Sequence, residues 1–171
     1  TRSSGSTPCF SIASPAMAGS PDRIARTGNI LAVGGPQSLQ LFDVGSPESP
    51  RALGSLPGFF VGVDARGSYV YTASQGAGLA VIDISQPANP SVAWYQQPAI
   101  GNRNALATNG QIALVGGPQV GVSVINVSNP AVPQSVSSIS SVASDIAIRA
   151  NYAYLAGGSS YVFKVVDISN P

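Results

Sequence analysis

The sequence predicts an all-β protein assembled from four copies of one sheet unit, and three observations predict it. A short apolar motif that contains one Asp or Asn recurs about every forty residues, at Asp43, Asp83, Asn126 and Asp167. Each copy is followed by a proline four positions later, which marks a turn. The apolar residues, 44% of the chain, occur in short runs without helical spacing. A fixed period of this length is typical of radial or stacked repeats.

Each copy contains a central pair of strands joined by a hairpin. The recurring motif is the third strand of its copy, and β-branched and aromatic residues upstream predict a second strand. The second strands are residues 29–33, 68–72, 111–115 and 151–155, and the third strands are 41–44, 81–84, 124–127 and 165–168. Glycine-rich segments lie between them, and glycine supplies the backbone angles that tight hairpins need.

A first and a fourth strand complete the unit. The first strands are predicted at 23–27, 61–66, 105–109 and 146–149, and the fourth strands at 52–56, 91–96 and 134–139. Four short antiparallel strands per repeat describe a β-propeller blade. The sequence therefore predicts a β-propeller of four four-stranded blades.

The fourth blade ends at Pro171, before its fourth strand, and the N-terminal segment 7–14 resembles the fourth strand at 132–139. We expect segment 7–14 to complete the last blade within one domain, residues 1–171. The predicted blades are about 22–57, 58–98, 102–140, and 144–171 plus 7–14. The strand closes its own ring or enters the last blade of a neighbouring molecule; a third alternative is that the chain is a fragment of a larger propeller.

The repeats resemble the LVIVD-repeat proteins, bacterial and archaeal surface or secreted β-propellers. Three segments carry the resemblance: residues 80–87, 152–158 and 164–171. It implies a propeller fold and an extracytoplasmic location, in the periplasm, on the cell surface or secreted. It implies no shared reaction, cofactor or catalytic residue.

The composition excludes most catalytic sites. The chain has no histidine and one cysteine, Cys9, so a Ser-His-Asp triad, a Cys-His pair and a Cys/His metal site are excluded. We therefore expect a protein that is not an enzyme and uses no cofactor. Charged residues are 9% of the chain and the net charge is +1, which argues against nucleic acid as a partner. No apolar run is long enough for a transmembrane helix.

The recurring Asp and Asn side chains are predicted to lock turns. Asp43, Asp83, Asn126 and Asp167 occupy one position before a Ser/Gly-x-Pro segment. Because this position accepts either Asp or Asn, the side chain is expected to accept hydrogen bonds from the amides of the turn.

Asp64 differs from its equivalents. It lies on the predicted innermost strand of blade 2, where the other blades have Ala25, Ala107 and Ala147. A lone carboxylate near a central axis must remain hydrated, pair with a cation or be protonated. An ion pair with an arginine such as Arg66 and a metal ion or water site in the channel are both consistent with the sequence. If Asp64 faces the channel, Asp64→Ala is expected to be tolerated.

Trp94 and Tyr95 are the candidate contacts for a partner or ligand, since one ring of an adjacent pair on an outer strand points outward. The leading functional hypothesis is a non-catalytic interaction or structural module outside the cytoplasm, with a protein partner or larger assembly. The alternative is a lectin-like propeller, or one that binds a small ligand or ion, with a carbohydrate contacting Trp94, Tyr95 and Asp64.

Overall fold

The computed structural model describes residue 17 and residues 19–74, 78–96, 105–117, 120–157 and 162–171. In this part of the chain all regular structure is β-strand, arranged in four antiparallel sheets that follow each other along the sequence. Blade 1 contains β1 Arg23–Thr27, β2 Ile30–Gly34, β3 Ser38–Asp43 and β4 Arg51–Pro57. Blade 2 contains β5 Gly62–Arg66, β6 Tyr69–Ser74, β7 Gly78–Asp83 and β8 Ser91–Tyr95.

The remaining strands form two further blades. Blade 3 contains β9 Ala105–Thr108, β10 Ile112–Gly117, β11 Val120–Asn126 and β12 Gln134–Val142. Blade 4 contains β13 Asp145–Arg149, β14 Tyr152–Gly157 and β15 Val162–Asp167. Every sheet pairs its strands in chain order. The prediction of an all-β, four-bladed propeller is confirmed. The proposed fourth strand of the last blade, 7–14, lies outside the described residues.

Several strands run one or two residues past their predicted ends, and β12 runs three residues past. β12 continues to Val142, where the sequence predicted an end near residue 139, because Gly121 at the start of β11 pairs with Val142. The register of the pair shifts between Gly121 and Val122, so the extra residues are accommodated by a bulge. This extension places β12 across the predicted boundary at residue 140.

A second irregularity recurs in three blades at equivalent positions. The pairing of the third and fourth strands shifts by one residue beside Leu41, Val81 and Val124. An extra residue in the fourth strand reverses the faces on which the following side chains lie. The bulge therefore decides which side chains of each outermost strand point toward a neighbouring blade.

The core lies between consecutive blades. The first strands β1, β5, β9 and β13 are innermost, and β5 lies beside β1, β9 beside β5, and β13 beside β9. Three apolar clusters fill the junctions of blades 1 and 2, 2 and 3, and 3 and 4. Among the described residues no corresponding cluster joins blade 4 to blade 1.

The blades approach closely at small residues. A Cβ atom on Gly34 would lie 2.5 Å from Val63 Cγ2 and 2.6 Å from the Phe60 carbonyl oxygen in the next blade. Side-chain volume is therefore excluded at the end of β2. The sequence uses Ala73 and Gly116 at the equivalent positions of blades 2 and 3.

Two threonines are fully buried and differ in hydrogen bonding. The Thr72 hydroxyl on β6 has no hydrogen-bond partner in the described structure. The Thr108 hydroxyl on β9 donates to the Ile112 carbonyl at 2.8 Å and accepts from the Gly110 amide at 3.0 Å. Thr72 thus carries a buried polar group without compensation, whereas Thr108 holds a turn together.

We predict opposite effects for valine at these two sites. Thr72→Val removes the uncompensated hydroxyl and should raise the free energy of unfolding by about 1 kcal/mol, whereas Thr108→Val should lower it by about 1–2 kcal/mol because the Gly110 amide loses its acceptor. Urea unfolding of the two variants and the wild type measures both changes. Destabilisation by Thr72→Val equal to that by Thr108→Val would contradict this account of the Thr72 hydroxyl.

Candidate functional site

Each blade carries the same side-chain-to-backbone hydrogen bond after its third strand. An Asp or Asn side-chain oxygen accepts from the amide two residues later, at 2.7–3.0 Å. The four pairs are Asp43 with Gly45, Asp83 with Ser85, Asn126 with Ser128, and Asp167 with Ser169. These are the bonds expected from the repeated sequence, and they fix the direction in which the chain leaves each third strand.

Polar depressions lie at these turns in three blades. The depressions in blades 1, 2 and 3 have volumes of about 350, 210 and 300 Å³. Each is lined by the Asp or Asn side chain, the residue two positions later, and residues of the loop and the start of the fourth strand, which are polar except for Val132 in blade 3. The repeat thus presents similar hydrogen-bonding surfaces at the corner of each of these three blades.

The turn bonds lower the pKa of two carboxyl groups. Hydrogen bonds from the amide and hydroxyl of Ser85 hold the pKa of Asp83 below its ordinary value of 3.8. Ser169 lowers the pKa of Asp167 in the same way. The cause is that both donors favour the ionised carboxylate.

Asp64 joins the innermost strands of two blades. Its Oδ2 accepts from the Thr108 amide of β9 at 2.9 Å, while Oδ1 accepts from the Ala65 amide at 2.7 Å. Arg66 lies 3.1 Å from Oδ1 and forms an ion pair with it. The side chain is 20% exposed, so these contacts are only partly screened by water. The structure therefore shows the arginine pair that was one of the two alternatives for Asp64.

The surroundings of Asp64 are polar and aromatic. Tyr71 lies in the same blade, and burial chiefly raises its pKa; Tyr69 and Asp64 raise the pKa further, while Arg66 lowers it. Within the described ranges no group of three His, Cys, Asp or Glu side chains is placed to hold a metal ion. The proposal of a cation at Asp64 remains a prediction from sequence, and the observed contacts favour a structural role.

Trp94 and Tyr95 point to opposite sides of β8. Trp94 packs against the apolar cluster between blades 2 and 3, whereas Tyr95 is 43% exposed. β8 is the outermost strand of blade 2. Asp64 lies on β5, which is the innermost strand, so two strands separate β8 from β5. With about 4.8 Å between neighbouring strands, roughly 14 Å separates β8 from β5. Asp64 and the Trp94–Tyr95 pair therefore do not form one site.

The sequence did not reveal the bonds between innermost strands. Besides the Asp64–Thr108 contact, the Thr27 hydroxyl of β1 donates to the Gly67 carbonyl of blade 2 at 3.1 Å. The departure from alanine marked Asp64 as unusual, but Thr27 carries no such signal because its equivalents Arg66, Asn109 and Arg149 are also polar.

We predict that the turn bonds make part of the stability depend on pH. The stabilisation from a carboxylate with a lowered pKa is complete above the unfolded pKa, about 3.8, and is lost as the pH falls through the folded value. The double variant Asp83→Asn/Asp167→Asn keeps its acceptor oxygens, as Asn126 does, and should remain close to wild type at pH 7. It should lose less stability than wild type as the pH falls below about 4.

Urea unfolding at several pH values measures this difference. Asp83→Ala provides the contrast at pH 7, where loss of the acceptor should cost about 1 kcal/mol. An equal loss of stability on acidification in the wild type and the double Asn variant would contradict the assignment.

We also predict that Asp64→Ala destabilises the protein, in contrast to the tolerance expected from sequence. Removing the carboxylate leaves the Thr108 amide without its acceptor and should cost about 1–3 kcal/mol. Asp22→Ala is the matched control, because the Asp22–Arg23 pair is about half exposed and should contribute less than about 1 kcal/mol. Thermal unfolding compares the stability of the two variants. Equal, small losses of stability would show that the Asp64–Thr108 hydrogen bond between blades contributes little to stability.

Comparison with known families finds the LVIVD repeat at residues 58–94, within blade 2, and at 140–171, which include blade 4. These segments contain the motifs that suggested the resemblance. No curated protein matches the chain.

Solved structures share the architecture at low sequence identity. The computationally designed Ika4 protein is 14% identical with a TM-score of 0.74, over 90% of this chain and 94% of Ika4. The designed Ika8 protein is 16% identical with a TM-score of 0.65, over 85% of this chain and 45% of Ika8. Kluyveromyces lactis Hsv2 is 14% identical with a TM-score of 0.54, over 81% of this chain and 42% of Hsv2.

The chain therefore spans less than half of Ika8 and Hsv2, and these likenesses show the fold alone. Together with the four observed sheets, they identify the chain as a four-bladed β-propeller, and two of its segments match the LVIVD repeat.

Proposed function

We propose that this protein is a non-catalytic interaction module that works outside the cytoplasm and binds a protein partner through the outer strand of blade 2. The observation that carries the proposal is an exposed apolar pair on β8. Val92 is 52% exposed and Tyr95 43% exposed, in a chain with few charged residues. Large apolar and aromatic side chains of this kind supply much of the binding energy at protein interfaces.

The backbone presents these two side chains together. Val92 pairs with Ile82 and Tyr95 with Ala80, and both of these partners belong to the cluster that faces blade 1. The bulge beside Val81 adds one residue between them, so Val92 and Tyr95 lie on the same side of β8 although three positions separate them. Trp94 packs into the opposite cluster and holds the strand in place, which reduces the entropy lost on binding.

The residue inventory supports a role without catalysis. The sequence has no histidine, and Asp43, Asp83 and Asp167 accept hydrogen bonds from turn amides. Asp64 accepts two amide hydrogen bonds and pairs with Arg66. Carboxylates engaged in this way are poorly placed to exchange protons with a substrate.

The family supports the proposed location. LVIVD-repeat proteins resemble this chain in sequence and are surface or secreted propellers, and the low content of charged residues is consistent with that setting. In the described part of the chain no helix has the length and apolar character needed to cross a membrane.

A second candidate function is multivalent binding of a small polar ligand, such as a carbohydrate. The observation that favours it is the repetition of a polar depression at the turns of blades 1, 2 and 3. Several weak copies of one site raise the overall affinity for a ligand that presents repeated groups. A glycan array tests this function, and binding would have to weaken in Asp83→Ala.

The main proposal is tested by affinity capture with the tagged 171-residue chain from envelope and secreted fractions of its source. The Val92→Ser/Tyr95→Ser variant should retain its partner at least about tenfold less, the effect of losing about 1.4 kcal/mol. Val132→Ser is the control, because Val132 is also exposed but lies on blade 3. Equal retention by all three proteins, with unchanged thermal unfolding, would contradict binding through blade 2.

A further inference from the structure

In the described part of the chain, the face of blade 4 that points away from blade 3 is apolar and exposed. One position on the third strand shows this directly. Leu41, Val81 and Val124 occupy it in blades 1, 2 and 3 and are at most 1% exposed, each covered by the next blade. The equivalent Val165 is 51% exposed. Val165 therefore occupies a position that is buried between blades elsewhere, but no blade in the described structure covers it.

A second position gives the same result. Leu39, Leu79 and Val122 are fully buried, whereas their equivalent Phe163 is 67% exposed. Phe163 stacks on Tyr154 with ring centroids 6.3 Å apart, and Tyr154 pairs with Val165 across β14 and β15. Phe163, Tyr154 and Val165 therefore form one continuous apolar surface, which we call the blade 4 face.

Blade 1 has the complementary feature on its innermost strand. Ile24 of β1 is 67% exposed, while its equivalents Val63 and Ile146 are buried. Val63 packs in one cluster with Leu39 and Leu41, and Ile146 in one with Val122 and Val124. If blade 1 packed on a fourth blade in the same way, Ile24 would contact Phe163 and Val165. Farther out on blade 1, Val33 and Phe42 are already buried, so the open part of this side runs along β1.

We propose that a second copy of this chain covers these surfaces, with blade 1 of each copy docked on the blade 4 face of the other. Both complementary surfaces are present on every chain, and β13 makes far fewer contacts with β1 than the other successive innermost strands make with each other. Two copies then form two identical junctions, and the head-to-tail contact closes into a ring instead of continuing as a filament.

Two further observations favour this occupant. The four blades superpose on 45% of the Ika8 chain and 42% of the Hsv2 chain, so their arrangement also occurs as rather less than half of a longer chain. Tyr152 is 48% exposed and lies two positions before Tyr154, on the same side of β14. Each junction would bury the exposed side chains Ile24, Tyr152, Phe163 and Val165, and the two junctions together bury eight large side chains. At roughly 100 Å² each, these side chains supply about 800 Å², two thirds of the roughly 1,200 Å² at the lower end of a stable interface, and the surrounding backbone and polar rim of the two junctions would supply the rest.

The test is the mass of the 171-residue protein in solution, measured by sedimentation velocity across a range of concentrations. The wild type should sediment with twice the 17.2 kDa chain mass. Val165→Asp should be monomeric. Val92→Asp is the matched control, because Val92 is also a strand valine and is 52% exposed, and it should remain a dimer. The result is independent of the partner proposed for blade 2.

Mixing two monomeric variants provides a second test of the same proposal. Ile24→Lys alone should also be monomeric. An equimolar mixture of Ile24→Lys and Val165→Asp should form dimers again. One junction of the mixed dimer has both native surfaces, and the other pairs the introduced lysine with the introduced aspartate. A monomeric wild type would overturn the proposal. If Val165→Asp then lowers the melting temperature, blades 1 and 4 close within one chain. If the melting temperature is unchanged, the proposal is overturned all the same. Dimers that dissociate equally with Val92→Asp and Val165→Asp would also overturn it.

Discussion

The burial of sheet faces between consecutive blades is the constraint on which the rest of the structure depends. A four-stranded blade with apolar residues on both faces has no core of its own, and an isolated small sheet is marginally stable at best. Each blade therefore acquires its stability from its neighbours, through the clusters that contain Leu41, Val81 and Val124. Stability in such an array is approximately a sum of repeat and interface contributions.

This constraint separates two kinds of polar residue. The Asp and Asn side chains at the turns act within one blade, where they set the exit of the third strand and leave the faces apolar. Asp64 and Thr27 instead act between blades, at the edge of the innermost strands, where the backbone would otherwise present unpaired groups. The turn bonds thus act within a blade, whereas Asp64, Thr27 and the apolar clusters connect neighbouring blades. The exposed side chains of β8, Val92 and Tyr95, serve neither purpose.

Much of the fold could be predicted from the sequence because the repeat is visible without knowledge of any contact. Spacing alone predicted the four blades, the strand order and the turn bond at Asp83 and its equivalents. The bulge beside Val81 could not be predicted, because β8 reads Ser-Val-Ala-Trp-Tyr and has no alternation of polar and apolar residues in which a shift of one residue would show. The partner of Asp64 was equally hidden, since Thr108 contributes its backbone amide and any residue type except proline provides that donor. The exposure of Phe163 and Val165 also required the structure, because in sequence they look like their buried equivalents.

The stability of each blade depends on packing against its neighbours, and hydrogen exchange measured strand by strand in the Val165→Asp variant tests this dependence most directly. Blades 2 and 3 each pack against two neighbours, whereas blade 4 has one described neighbour. The amides of β6, β7, β10 and β11 should therefore exchange most slowly, and those of β14 and β15 should open at much lower free energy. Equal protection of β14 and β7 would contradict the claim that the contacts between blades hold this protein together.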